Sequence, residues 1–179
     1  MDTITSSAPD PGRAHPTHAE IRPWSDPIVD ERGHDPRSAY VERYWLSVIG
    51  PTATLIMRRF ADEFDHEPGG FVVDLAHTAT TMGLSYSKGQ HSPFGKALHR
   101  CVMFGLAQPT PTGFAIRRKF PNVAQRHLSR LPDDVQRSHY DWARRTIRVD
   151  RRRVERALVE LGIEPRAAAR ASEAAALAS

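Results

Sequence analysis

The sequence predicts a mainly α-helical protein with a small β-hairpin, and three observations carry that expectation. Apolar residues recur at helical spacing in successive runs between residues 36 and 105, opened by Asp-Pro, Gly-Pro or Ser-Pro pairs. Extended patterning is confined to short stretches, chiefly residues 71–73 and 114–120. Beyond residue 121 the chain returns to helical periodicity rich in Arg and Ala.

Residues 1–35 hold Pro9, Pro11, Pro16, Pro23 and Pro27 among few paired apolar side chains, with Pro36 just beyond. They read as a disordered or loosely packed arm, of which Trp24 and Ile28 are placed to fold back. His15, His18 and His34 are irregularly spaced and lack cysteine partners, so no metal site is expected. The predicted domain, 36–145, starts at Asp35-Pro36, where Asp can cap a helix and Pro suits its first position. Tyr40, Val41, Tyr44, Trp45, Val48 and Ile49 form one stripe. Gly50-Pro51 stops that helix and opens a second, with Ala53, Ile56, Met57, Phe60 and Phe64 on one face. A turn at 66–70 leads to a short strand at 71–73, and Asp74 caps a helix over 75–82 that Gly83 ends. After a polar loop, Ser92-Pro93 opens the helix 93–104, whose inner face is Phe94, Ala97, Leu98, Cys101 and Val102. Pro109 to Gly113 is a turn-rich link into the alternating 114–120 segment, with Phe114, Ile116 and Phe120 on one side and Arg117 and Lys119 on the other. Residues 122–145 are helical in two pieces broken at Leu131-Pro132, and 146–179 form a basic helical extension with a stop at Gly162.

The chain has 179 residues and a net charge of +4, unevenly placed. Residues 113–170 carry 15 Lys/Arg against 7 Asp/Glu, whereas residues 1–112 carry 10 against 13. A basic half of this kind suits phosphate backbones, although only Lys88, Lys96 and Lys119 are lysines and Arg/Ala richness also follows from coding bias. Cys101 is the single cysteine, which excludes an internal disulfide and a multi-cysteine zinc site. No membrane span and no secretory leader is expected, so the cytoplasm is the expected location.

The segments FVVDLAHTATTMGLS, SPFGKALHRCVMFGLAQ and GFAIRRKFP together resemble a winged helix-turn-helix domain, over roughly residues 51–121. They stand for its first strand and second helix, its recognition helix and its wing. Ala79, Gly83 and Leu84 fall where such motifs place a small residue, a turn glycine and an apolar residue. The segment between the two helices, 83–91, is longer than the usual tight corner. The resemblance implies a DNA-binding protein, in the manner of a bacterial transcriptional regulator, with double-stranded DNA as partner.

On this expectation the helix after Ser92 enters the major groove. Lys96, His99 and Arg100 lie opposite its apolar face, and Arg matches the guanine edge bidentately. Lys88, Gln90 and Ser92 sit at or before the helix N-terminus, where donors suit phosphates. Arg117 and Lys119 project from the wing towards backbone or minor groove. Lys88, Lys96, Arg100, Arg117 and Lys119 are expected to share one continuous face. A homodimer suits palindromic sites, and the C-terminal helices could also take a protein partner. The alternative is a winged-helix protein–protein interaction module in a transcription or replication assembly. Neither a nucleophile elbow nor a glycine-rich phosphate loop is present, so no enzymatic activity and no cofactor are expected.

Overall fold

The structure is a computed structural model that describes residues 16–177. It is mixed α/β, and the expected hairpin is part of a larger four-stranded sheet. The chain forms two compact units that divide between Val123 and Ala124.

In the first unit the chain runs β1 (His18–Pro23), α1 (Pro27–Arg32), α2 (Leu46–Ile49, entered through a π-helical turn Val41–Trp45), α3 (Pro51–His66) and β2 (Phe71–Asp74). It continues through α4 (Leu75–Thr81), α5 (Pro93–Met103), β3 (Ala107–Thr110) and β4 (Gly113–Ile116). The strand order is β2-β1-β4-β3, with β1 antiparallel to β2 and parallel to β4, and β3 and β4 an antiparallel hairpin.

The position of β1 corrects the expected arm. Residues 18–23 sit inside the sheet, with Ala19 and Ile21 buried between Phe71 and the hairpin. Only two apolar side chains of HAEIRP point inward, and prolines flank the stretch, so its pattern is short and its composition looks like that of a linker. Pro23 does no harm because it ends the strand. Gly113 faces Glu20 so closely that a Cβ there would collide with the Glu20 backbone, which is why the parallel pair starts at a glycine. His15 and the rest of residues 1–15 lie outside the described residues.

One face of the sheet packs on the helices. Phe71 meets Phe60 and Phe64 of α3 with ring centroids 6.0 and 5.1 Å apart, and Ile56, Met57, Phe94, Cys101 and Ile116 are all buried. The opposite face is open, with Val72 67% exposed and Glu20 paired to Arg22. Asp74 caps α4 through Ala76 and His77 N–H, as expected. Asp35 does not cap the helix that follows; its carboxylate accepts from Arg37 N and Nε, and the π-helical turn begins only at Val41.

The alternating 114–120 segment is a strand only to Ile116. Past that point the chain leaves the hairpin and straps the α2 region: Phe120 exchanges backbone hydrogen bonds with His34, Pro121 O accepts from Trp45 Nε1 at 2.8 Å, and Val123 N donates to the Tyr40 hydroxyl at 2.9 Å.

In the second unit a short α6 (Gln125–Leu128) precedes α7 (Asp133–Glu160), about 42 Å long by its rise per residue. Gly162, at φ +87°, turns the chain into α8 (Pro165–Leu177), which packs back on α7. The break at Leu131-Pro132 is as expected, but α7 runs straight through residue 145, the expected domain boundary. No described helix is long and apolar enough to cross a membrane.

Candidate nucleic-acid interface

Helix α5 has three faces, each set by its spacing. Phe94, Ala97, Leu98 and Cys101 are buried against the core. Lys96, Arg100 and Met103, at i, i+4 and i+7, form an exposed stripe, with Met103 68% exposed. Gly95, His99 and Val102 form a third strip, which lines a groove facing the β3–β4 hairpin. Burial of Cys101, 0% exposed, pushes its thiol pKa up to about 12, which fits an inert core residue.

The loop before α5 is longer than a tight corner because it folds back on the helix it introduces. Gly89 is buried in a short 3₁₀ turn, Gly89–His91, and the Tyr86 ring stands edge-on to Phe94 at 6.0 Å. A Cβ on Gly95 would lie 2.6 Å from the Gln90 Cα, so glycine in the helix is what lets the loop backbone lie on it. Ser92 is 2% exposed, and its hydroxyl accepts from Gly95 N at 3.0 Å while donating to Gly89 O. Ser92 is therefore a cap and has no surface to offer a partner.

The eight expected contact residues consequently separate. Lys88, Lys96 and Arg100 are exposed and form no ion pair among the described residues. Gln90 and His99 are exposed too, but line the groove beside α5. Arg117 and Lys119 are turned inward. Arg117 pairs with Asp26, donates from Nε to Gly105 O at 2.8 Å and stacks 3.9 Å over Trp24, leaving its side chain only 13% exposed. Lys119 Nζ donates to Asp30 O. The Arg117 guanidinium in turn holds the Asp26 carboxyl below its usual range, helped by the Val29 N–H.

The expected continuous cationic face does not form. The Arg100 guanidinium reaches Gly50, at the N-terminal end of α3. Arg118 lies over Phe64 near the other end of α3, and with Lys119 it borders a hollow that also holds Asp35 and Asp65. Residues 51 and 64 are about 20 Å apart along a helix. The acidic cluster is itself engaged there, since Arg37 pairs with Asp35, Asp62 and Asp65 at 2.8, 2.9 and 2.5 Å, which raises the Arg37 pKa and lowers that of Asp35.

One signal in the sequence bears on charge more strongly than the net count does. None of the chain's 21 Asp/Glu falls between Leu75 and Pro132. That carboxylate-free run supplies α4, the loop, α5 and the hairpin. The stripe on α5 thus has no acidic neighbour in its own segment, and every described carboxylate of the first unit lies before Leu75. The chain matches no known protein-family model, no curated protein and no solved structure.

Proposed function

We propose that this chain binds double-stranded DNA through the exposed stripe of α5, with Arg100 reading a base edge and Lys88 and Lys96 meeting phosphates. The observation that carries the reading is the carboxylate-free run from Leu75 to Pro132, whose exposed cations on α5 and its loop stand unpaired among the described residues. The order α3, β2, α4, α5, β3, β4 supports a winged helix-turn-helix arrangement in which β1 is inserted between β2 and the hairpin. In this reading the chain is a binding protein of the cytoplasm, a transcriptional regulator rather than an enzyme, and a dimer would match two half-sites. The wing contributes through its shape, and Arg117 and Lys119 leave the contact set because their charges are used internally. The competing reading, a winged-helix protein-interaction module, gains from the separation of the two cationic groups along α3.

The test is a salt titration of binding to a pool of random-sequence duplexes. Lys96→Ala/Arg100→Ala is expected to weaken binding at least about tenfold, and each lost phosphate contact to flatten the log–log salt slope by about 1. Arg117→Ala is expected to lower the unfolding midpoint while leaving the affinity of the folded protein within about threefold. Binding that ignores the α5 substitutions, or that is absent at low salt, favours the interaction module.

A further inference from the structure

The third face of α5 opens on a groove of about 690 Å³, closed on the other side by the β3–β4 hairpin. That volume is in the range of small-molecule sites. Its walls differ in chemistry. The hairpin side and floor are mainly apolar, built from Ala19, Leu75, Pro109, Pro111 and Phe114, with Thr110 and Thr112 between them. The helix side adds Leu98 and Val102, and with them three residues that carry polar groups, Tyr86, Gln90 and His99. The side chains of Tyr86 and His99 make no hydrogen bond among the described residues, and the Gln90 amide has only a 3.5 Å approach to His91.

Acidic side chains are missing from the lining of this groove. Two histidines, His18 and His99, line it, and no Asp or Glu does. Two carboxylates border the lining and are already engaged: Glu20 accepts from the lining residue Thr112 and from Arg22, and Asp74 accepts from the N–H groups of Ala76 and His77. A mainly apolar wall facing a helix side that carries a phenol, an amide and an imidazole, with no Asp or Glu in the lining itself, suits a planar ring that carries one acidic edge. We propose that the groove between α5 and the hairpin is a binding site for an aromatic organic acid, its ring against Phe114 and Pro109 and its acidic group towards Tyr86, Gln90 and His99. The site stands on its own lining and does not depend on the DNA reading.

The experiment uses the full chain and two probes, the fluorescent aromatic sulfonate 8-anilinonaphthalene-1-sulfonate and the simpler 2-naphthoate. The sulfonate is expected to bind saturably at one per chain and to be displaced by 2-naphthoate, whereas 2-naphthalenemethanol, which has the ring but no acid, competes at least tenfold more weakly. Val102→Trp, which fills the groove, should abolish binding, and Tyr86→Phe should weaken it severalfold while its thermal unfolding stays that of the parent. Methyl NMR on the parent chain is read independently of either variant: the Leu75, Leu98 and Val102 signals shift on adding 2-naphthoate, and that of Ile56 in the core does not. Shifts that spread over the core, equal competition by the alcohol, or a folded Val102→Trp variant that binds as the parent does would overturn the site.

Discussion

At the scale of single residues, Gly95 shows how packing outweighs propensity. Glycine inside a helix is disfavoured against alanine by about 1 kcal/mol, so Gly95→Ala would stabilise α5 if the space around it were open. The loop backbone at Gly89 and Gln90 occupies that space. The variant is therefore expected to lose about 1–3 kcal/mol, as overpacked sites do, in urea unfolding analysed by linear extrapolation. His34 supplies a pH dependence. Its ring stacks on Tyr40 at 3.5 Å and bonds Asn122 through Nε2 at 2.8 Å, and burial lowers its pKa from the ordinary 6.5. The unfolded chain then takes up a proton near pH 6.5 while the folded chain does not, so this contribution to stability is present above that pH and declines as the pH falls below it. The urea midpoint is expected to drop between about pH 7.5 and about pH 5.5, and the drop should shrink in His34→Phe, which keeps the ring but cannot titrate. His127, whose pKa burial and the charges of Arg126 and Arg130 also lower, contributes the same sign from the second unit.

At the scale of elements, legibility in the sequence followed the length of the pattern. Helices α3 and α5 are readable because their Pro openings are followed by stripes that extend over several turns, and Asp74 and Ser92 are readable as caps because their chemistry is local. β1 is not, since Ala19 and Ile21 are its only buried pair and its partners lie far along the chain. Arg117 and Lys119 were misread for the same reason: alternation gives a side, but not the Asp26 and Trp24 that wait on it. The carboxylate-free run was visible throughout and is masked when charge is summed over halves of the chain. The load on β1 is measurable. Ile21→Ala, at a site with no exposure, is expected to cost about 2–5 kcal/mol. Val72→Ala, on the open face of the same sheet, should stay within about 0.5 kcal/mol in the same urea assay.

At the scale of the whole molecule the two units differ in how much apolar surface they enclose. In the first, α2, α3, α5 and the sheet share an aromatic core. In the second, Ala168 and Ser172 are the buried residues of α8, whereas Leu161 and Leu177 are 80% and 86% exposed. Amide hydrogen exchange is expected to be slowest in α3, α5 and β1 and faster by orders of magnitude in α7 and α8, which residue-resolved exchange would check. Uniform protection across both units would contradict this.

The central strand also sets a schedule for synthesis. β1 leaves the ribosome before the other described strands, yet its parallel neighbour, which pairs Gly113 with Glu20, follows roughly ninety residues later. At about 5–20 residues per second the wait is several seconds or more. Until then β1 can pair only with β2, and one edge of that two-stranded ribbon is unclosed. The last of the described strands therefore seals the first of them, and a nascent chain stalled before the hairpin offers a bare strand edge to chaperones or to its neighbours on the polysome.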